Sequence, residues 1–139
     1  MPEPACQIRH LVEFHETDMA GIVHFSNFFR YMEKCEHAFA RSLAPDLDYL
    51  KVGPEATWPR VHASCDFRQP ARFGQELVIQ QFVTSVRRSS IHYRFEILHE
   101  STLLAEGKIV VAHVVRDQGR FTASPLPSPL RAKLEAHCS

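Results

Sequence analysis

The feature that most constrains the fold is one long helical pattern placed ahead of four strand patterns. Between residues 25 and 39, apolar side chains recur at helical three-and-four spacing, and charged residues take the opposite face. The apolar stripe is heavily aromatic: Phe25, Phe28, Phe29, Met32, Cys35 and Phe39. Ser26 is predicted to be the N-cap, and Pro45 with Asp46 to mark the end. A helix this apolar has to bury its inner face.

Alternating apolar and polar residues predict strands on both sides of this helix. The strands are expected at 7–15, 61–68, 76–86, 91–97 and 103–115, mostly with short turns between the later ones. Short turns join antiparallel neighbours. The pattern therefore predicts an α+β fold, with one long central helix wrapped by a curved antiparallel sheet of about five to six strands. Residues 1–139 are expected to form a single domain with a short C-terminal helix at about 128–137.

Composition excludes several classes of function. Sixteen basic residues balance sixteen acidic ones, which argues against a nucleic-acid or membrane partner. The four cysteines are scattered without a Cys-x-x-Cys pair, and the histidines lack ligand spacing, so neither a metal site nor a cofactor is expected. No apolar run has the form of a signal peptide or a membrane span. These observations predict a cytoplasmic protein.

Residues 16–27 are the segment with the clearest chemical content. Asp18 precedes Gly21 by three residues, and Ser26 with Asn27 then opens the helical pattern. A carboxylate is thereby placed beside a helix start, where unpaired N–H groups and the positive end of the helix dipole collect. A carboxylate and an oxyanion binder acting on one carbonyl indicate acyl chemistry. A serine nucleophile is not indicated, because the chain has no Gly-x-Ser-x-Gly motif.

Residues 14–29, Phe14-His-Glu-Thr-Asp18-Met-Ala-Gly21-Ile-Val-His-Phe-Ser-Asn27-Phe-Phe, resemble the hot-dog-fold thioesterases, specifically the 4-hydroxybenzoyl-CoA thioesterase-like branch. Residues 65–74 and the turn at 88–91 extend the resemblance over about 7–116. It implies a hot-dog fold that self-associates into a homodimer or homotetramer with active sites between subunits. It also implies metal-free hydrolysis of an acyl-CoA substrate, with Asp18 as nucleophile or general base. The helix-start N–H that polarises the thioester carbonyl would be that of Phe25.

Other residues of the predicted site have two readings each. Gly21 permits a positive φ or a close approach, and Asn27 either fixes the loop or supports Asp18. His24 either orients the substrate or water, or caps and packs at the helix start, because histidine suits both roles. Many relatives have Tyr-His where this chain has His24-Phe25, so the family's catalytic histidine is not carried over to His24. Glu33 is either a solvated carboxylate on the polar face of the helix or an alternative base, since one hot-dog branch uses a helix glutamate. The turn formed by Arg87, Arg88, Ser89 and Ser90 either grips the CoA phosphates or is merely solvated.

Two other functions remain open at this level. A non-catalytic acyl-binding or scaffold protein is possible, because fold does not determine function, although the intact Asp18 argues against it. A hot-dog dehydratase or hydratase is the other alternative, because His24-Phe25 resembles the His-Phe of that branch. The proline and glycine that follow in that branch are replaced here by Ser26-Asn27.

Overall fold

The structure, a computed structural model, describes residues 3–43 and 56–138. The helices in this part of the chain are α1 (Ser26–Ser42) and α2 (Ser128–His137). The strands are β1 (Cys6–Leu11), β2 (Ala56–Thr57), β3 (Arg60–Phe67), β4 (Glu76–Val86), β5 (Ser90–His99), β6 (Thr102–Ala112), β7 (Val114–Asp117) and β8 (Arg120–Ala123).

The main sheet is antiparallel throughout and has the strand order β1-β4-β5-β6-β3. Its inner face, covered by α1, is apolar: Ile79 lies opposite Ile97, and Tyr93 lies opposite Ile109, all of them buried. A smaller sheet, β2-β7-β8, lies beside it. The predicted α+β fold with one long helix on an antiparallel sheet is confirmed.

Helix α1 buries most of the stripe that its sequence predicts, but Phe25 at the N-cap is 60% exposed and Phe29 is only partly buried. Met32, Cys35 and Phe39 are fully buried against the sheet, and burying a side chain of this size contributes roughly 1.5–3 kcal/mol. The prediction that Ser26 is the N-cap is wrong. Phe25 is the N-cap and Ser26 is the first helical residue, because the Ser26 hydroxyl pairs with the His24 ring instead. The predicted stop at 45–46 lies outside the described residues.

The first strand is shorter than predicted. β1 ends at Leu11, and residues 14–16 form a short 3-10 turn instead of continuing the strand. The Glu13 N–H donates to the Glu16 carboxylate at 2.8 Å, and the Glu16 N–H donates to the Glu13 carbonyl at 3.0 Å. These two bonds favour the turn over an extended chain. Phe14 is consequently 74% exposed rather than buried.

The strand predicted at 103–115 is broken at His113. The His113 N–H still donates to the Ser89 carbonyl at 2.7 Å, in the register of the β5–β6 ladder, but the His113 carbonyl accepts the Ser124 N–H at 2.9 Å, which directs the chain to β8. The chain then forms the β7–β8 hairpin, of which β8 was not predicted. Ser124 lies beyond the β7–β8 hairpin, so the alternation of residues within 103–115 carries no sign of the break.

Strand β3 lies at the edge of the main sheet and pairs, within the described residues, with β6 only. Its apolar side chains are largely uncovered: Val61 is 62% exposed and Phe67 is 50% exposed. An apolar edge strand with open backbone groups is a surface that proteins normally cover. Across residues 3–43 and 56–138, neither helix has the length and apolarity needed to cross a membrane.

Candidate active site

A closed loop between β1 and α1 carries Asp18. An antiparallel bridge between Thr17 and Val23 joins the two sides of this loop, and the Asp18 N–H donates to the Ile22 carbonyl at 2.9 Å. Gly21 has a φ of +78°, and its N–H donates to the Asp18 carbonyl at 2.9 Å. This left-handed conformation favours glycine, so the backbone reading of Gly21 accounts for its place in the loop. The loop holds Asp18 in a tight turn.

The Asp18 carboxylate is partly buried and faces a cavity. Its Oδ1 accepts a hydrogen bond from the Ala20 N–H at 2.9 Å, the ordinary turn-capping use of an aspartate. Within the described residues, Oδ2 has no hydrogen-bond partner. One oxygen therefore stabilises the loop while the other is available to a bound molecule.

The start of α1 supplies an N–H group beside this carboxylate. Phe25 has helical dihedral angles, and its N–H has no hydrogen-bond partner in the described part of the chain. The neighbouring N–H groups are occupied: that of His24 donates to the Glu16 carbonyl, and that of Asn27 donates to the His24 carbonyl, both at 2.9 Å. An open N–H at the positive end of a helix is suited to binding an oxyanion.

A cavity of about 500 Å³ joins these two features. Its walls are mainly apolar, and the rings of Phe28 and Phe67 meet edge to face with centroids 5.3 Å apart. Aromatic walls of this kind suit a flat apolar group. The lining comes from the loop, the start of α1 and the end of β3: Asp18, Ile22, Val23, Phe25, Phe28, Phe67, Arg68, Gln69 and Pro70.

His24 lies beside the cavity lining rather than in it. Its ring nitrogen Nδ1 lies 2.8 Å from the Ser26 hydroxyl and accepts the Ser26 N–H at 3.3 Å. Because Nδ1 accepts, the ring hydrogen is on Nε2. The ring also stacks on that of Phe25 with centroids 4.6 Å apart. These contacts orient the ring at the helix start.

The two remaining helix residues considered for the site do not contact Asp18. Asn27 is buried, and its amide donates to the Glu16 carbonyl at 2.8 Å, which is the loop-fixing arrangement. Glu33 is half exposed and pairs with Arg60 at 3.1 Å, away from the cavity lining. The geometry therefore offers Asp18, rather than Glu33, to a molecule in the cavity.

The β4–β5 turn does not line this cavity within one chain. It consists of Arg87, Arg88, Ser89 and Ser90. It closes the β4–β5 hairpin, where the Arg87 N–H donates to the Ser90 carbonyl at 2.9 Å. Strand β4 begins at Glu76, next to the loop segment that holds Asp18, and reaches the turn only after Val86. At about 3.3 Å per residue, the two ends of this strand are roughly 33 Å apart.

Sequence reasoning missed the part of the cavity wall formed by residues 67–70. The N–H groups of Arg68 and Gln69 both donate to the Leu104 carbonyl, at 2.8 and 3.1 Å, and this holds the segment next to the helix start. The available signal was the apolar Phe67 at the end of a strand, closed by Pro70. No group of three potential metal ligands occurs among residues 3–43 and 56–138.

Comparison with known proteins assigns the family. Residues 12–134 match the model of the thioesterase-like superfamily. A 1,4-dihydroxy-2-naphthoyl-CoA hydrolase of Nostoc punctiforme is 30% identical over 91% of this chain and 84% of its own length. The corresponding hydrolase of Prochlorococcus marinus (strain MIT 9303) is 28% identical over 97% of this chain and 93% of its own length.

A solved structure shows the same architecture. The 1,4-dihydroxy-2-naphthoyl-CoA thioesterase Slr0204 from Synechocystis superposes with a TM-score of 0.80 at 25% identity, covering 93% of this chain and 94% of that one. Fold and family together define a thioester hydrolase of the hot-dog class. The chain belongs to the thioesterase-like superfamily, and the resemblance to the 4-hydroxybenzoyl-CoA thioesterase-like branch is confirmed.

Proposed function

We propose that the protein hydrolyses an aromatic acyl-CoA thioester to the free acid and CoA. The observation that carries this proposal is the meeting of Asp18 and the open Phe25 N–H at one cavity with aromatic walls. The relatives at 28% and 30% identity are named for 1,4-dihydroxy-2-naphthoyl-CoA, whose acyl group is a flat fused-ring system. A flat ring system matches walls made by Phe28 and Phe67.

In the proposed reaction the thioester carbonyl oxygen accepts the Phe25 N–H. The positive end of α1 then stabilises the negative charge of the tetrahedral intermediate. Asp18 either attacks the carbonyl carbon or takes a proton from the water molecule that attacks it. The C–S bond breaks and CoA leaves as a thiolate. Where Asp18 is the nucleophile, water then hydrolyses the aspartyl–acyl anhydride, which releases the free acid and regenerates the Asp18 carboxylate. A thiol with a pKa near ~8.5 needs no strong acid to leave.

The other residues of the loop support these two groups in the proposal. Gly21 allows the turn that holds Asp18, and Asn27 ties the start of α1 to the loop. His24 orients the helix start through its contacts with Ser26 and Phe25, and its exposed ring contacts the acyl group or the attacking water. A cytoplasmic location stays a prediction from the sequence.

The acyl preference is tested with a panel of CoA thioesters. We expect kcat/KM for aryl-CoA substrates to exceed that for straight-chain acyl-CoA of similar size by at least ~10-fold. Phe67→Ala should lower kcat/KM for the aryl substrates about tenfold, because an edge-to-face wall is lost, and leave the straight-chain values within about threefold. Phe121→Ala is the matched control, since Phe121 is a similarly exposed aromatic on β8, outside the cavity lining.

Equal turnover across the panel, or a preference for long straight chains, contradicts the aromatic assignment while leaving thioester hydrolysis in place. Absence of turnover with every CoA thioester contradicts the proposed function itself. Phe121→Ala should match the wild-type protein on each substrate.

The proposal includes a second copy of the chain. Val61 and Phe67 are exposed apolar residues on β3, an edge strand that pairs with β6 only among residues 3–43 and 56–138, and Phe67 also lines the cavity. Pairing of this edge with a second copy covers both. Such a homodimer, or a homotetramer built from it, would bring the Arg87–Arg88 turn of one chain toward the Asp18 cavity of the other. The arginines and the hydroxyls of Ser89 and Ser90 would then grip the CoA phosphates.

Mixing two variants tests this assembly. Asp18→Asn and the double variant Arg87→Ala/Arg88→Ala are each expected to be weak at low substrate concentration, the second through a higher KM. In a mixed dimer one site combines an intact Asp18 with intact arginines. The activity of the mixture should therefore exceed the sum of the two separate activities. Light scattering should give at least twice the 15.9 kDa chain mass.

Exchange of subunits between the two variants is checked first. If the subunits exchange and the activity of the mixture still equals the sum of the two separate activities, Asp18 and the arginines belong to independent sites. A monomer at micromolar concentration would rule out both the assembly and a site shared between chains.

A further inference from the structure

The Glu16 carboxylate joins three elements beneath the Asp18 loop. Its Oε1 accepts the Glu13 N–H at 2.8 Å and the Tyr31 hydroxyl at 3.1 Å, and the His10 Nε2 lies 2.9 Å away. His10 belongs to β1 and Tyr31 to α1. The His10 and Glu16 side chains are only 11% and 12% exposed. This carboxylate is therefore held away from solvent and supplied with several donors.

The direction of these hydrogen bonds follows from Lys34. Its Nζ lies 3.0 Å from the His10 Nδ1, and an ammonium group only donates, so Nδ1 accepts and Nε2 donates to Glu16. Burial alone would raise the pKa of Glu16, but the hydrogen bonds from the Glu13 N–H, His10 and Tyr31 outweigh it and lower the pKa. Burial and the nearby Glu16 charge raise the pKa of Tyr31, so its hydroxyl keeps the proton that it donates.

The backbone of Glu16 connects this network to both reacting groups. Its carbonyl accepts the His24 N–H at 2.9 Å and the Asn27 side-chain amide at 2.8 Å. His24 is the residue directly before Phe25, whose N–H is open. Asp18, the other reacting group, follows Glu16 by two residues in the chain. One residue thus fixes the two sides of the loop relative to each other.

We propose that Glu16 is a positioning residue, which sets the distance between the Asp18 carboxylate and the Phe25 N–H. This inference rests on the proposed function, in which those two groups act on one carbonyl. Glu16 does not line the cavity, so it acts through the loop and not on the substrate. Displacing a reacting group by about 1 Å can cost on the order of 10²-fold in rate.

The test compares kinetics with loop mobility in four variants. Glu16→Ala should lower kcat roughly 10- to 100-fold with KM within about threefold, because alignment and not binding is lost. Glu16→Gln keeps an oxygen for the Glu13 and Tyr31 donors and should recover most of that loss. Tyr31→Phe removes one donor and should lower kcat less than Glu16→Ala. Glu76→Gln is the matched control, since Glu76 pairs with Arg9 at the surface near the same strand.

Hydrogen exchange separates positioning from a general loss of stability. In Glu16→Ala the His24 amide should exchange at least ~10-fold faster, while the Tyr93 and Phe95 amides at the sheet centre keep their wild-type rates. Unchanged kcat, a rise in KM that accounts for the loss, or equal acceleration of all three amides would each overturn the proposal.

The role of Glu16 can be tested separately from the proposed function. If the wild-type protein hydrolyses no thioester, the exchange rate of the His24 amide in the Glu16 variants still decides the role of Glu16. Selective acceleration there supports positioning of the loop, and an unchanged rate overturns it. If Glu16→Ala does not fold, Tyr31→Phe and Glu16→Gln carry the same comparison.

Discussion

Asp18→Asn is expected to reduce kcat by roughly 10²- to 10⁴-fold, the range for losing a positioned carboxylate in proton transfer or nucleophilic attack. The amide keeps an oxygen that can accept the Ala20 N–H, so the loop should retain its shape. It cannot attack a thioester or take a proton from water at neutral pH. The measurement is steady-state turnover of the best aryl-CoA substrate, with the fold checked by circular dichroism.

Asp117→Asn is the matched control, because Asp117 is an exposed aspartate at the end of β7, outside the cavity lining. It should turn over like the wild-type protein. A folded Asp18→Asn protein with near-wild-type kcat would remove Asp18 from the chemistry, and Glu33 would then be the carboxylate to test.

Arg60→Met is expected to lower the free energy of unfolding by about 2–3 kcal/mol, the largest stability effect of the changes considered. Arg60 contacts Glu36 at 2.7 Å and Glu33 at 3.1 Å, and the Glu36 side chain is only 2% exposed. Removing the cation leaves a buried carboxylate without its arginine, which costs far more than losing a surface ion pair. Urea unfolding at one fixed protein concentration measures the change.

Arg9→Met supplies the comparison for this effect. Arg9 pairs with Glu76 at 2.9 Å, but both side chains are more than half exposed, so its loss should change the unfolding free energy by less than about 0.5 kcal/mol. If the two arginine variants unfold at the same urea concentration, the Arg60–Glu36 pair contributes no more than a surface pair.

The core of the fold could be predicted because its signals are local and repeated. The stripe of Phe28, Met32, Cys35 and Phe39 has the helical period, and the helix forms where that period runs. Strand β4 has the bounds that alternation predicts, from Glu76 to Val86. Each signal lies within the element that it specifies, so no tertiary contact has to be known.

The features that the sequence did not predict depend on contacts between elements rather than on signals within one element. The chain leaves the β6 ladder after His113 because the His113 carbonyl accepts the N–H of Ser124, a residue just beyond the β7–β8 hairpin. Glu36 lies on a helix among charged residues, and the tertiary structure buries it and brings Arg60 of β3 to its carboxylate. Such partners are not visible in a period or a motif.

The sequence by itself determined the fold class and the position of Asp18 before the helix start, because a carboxylate, a glycine and a helical period are adjacent along the chain. The family came from the resemblance of residues 14–29 to known thioesterases. Only the tertiary structure decided what surrounds that carboxylate. In the folded chain Phe67, at the end of β3, lines the cavity, and the Arg87–Arg88 turn does not. The Glu16 side chain contacts His10 of β1 and Tyr31 of α1. The physical reason is that these contacts depend on how a sheet and a helix pack, and packing joins residues that the chain keeps far apart.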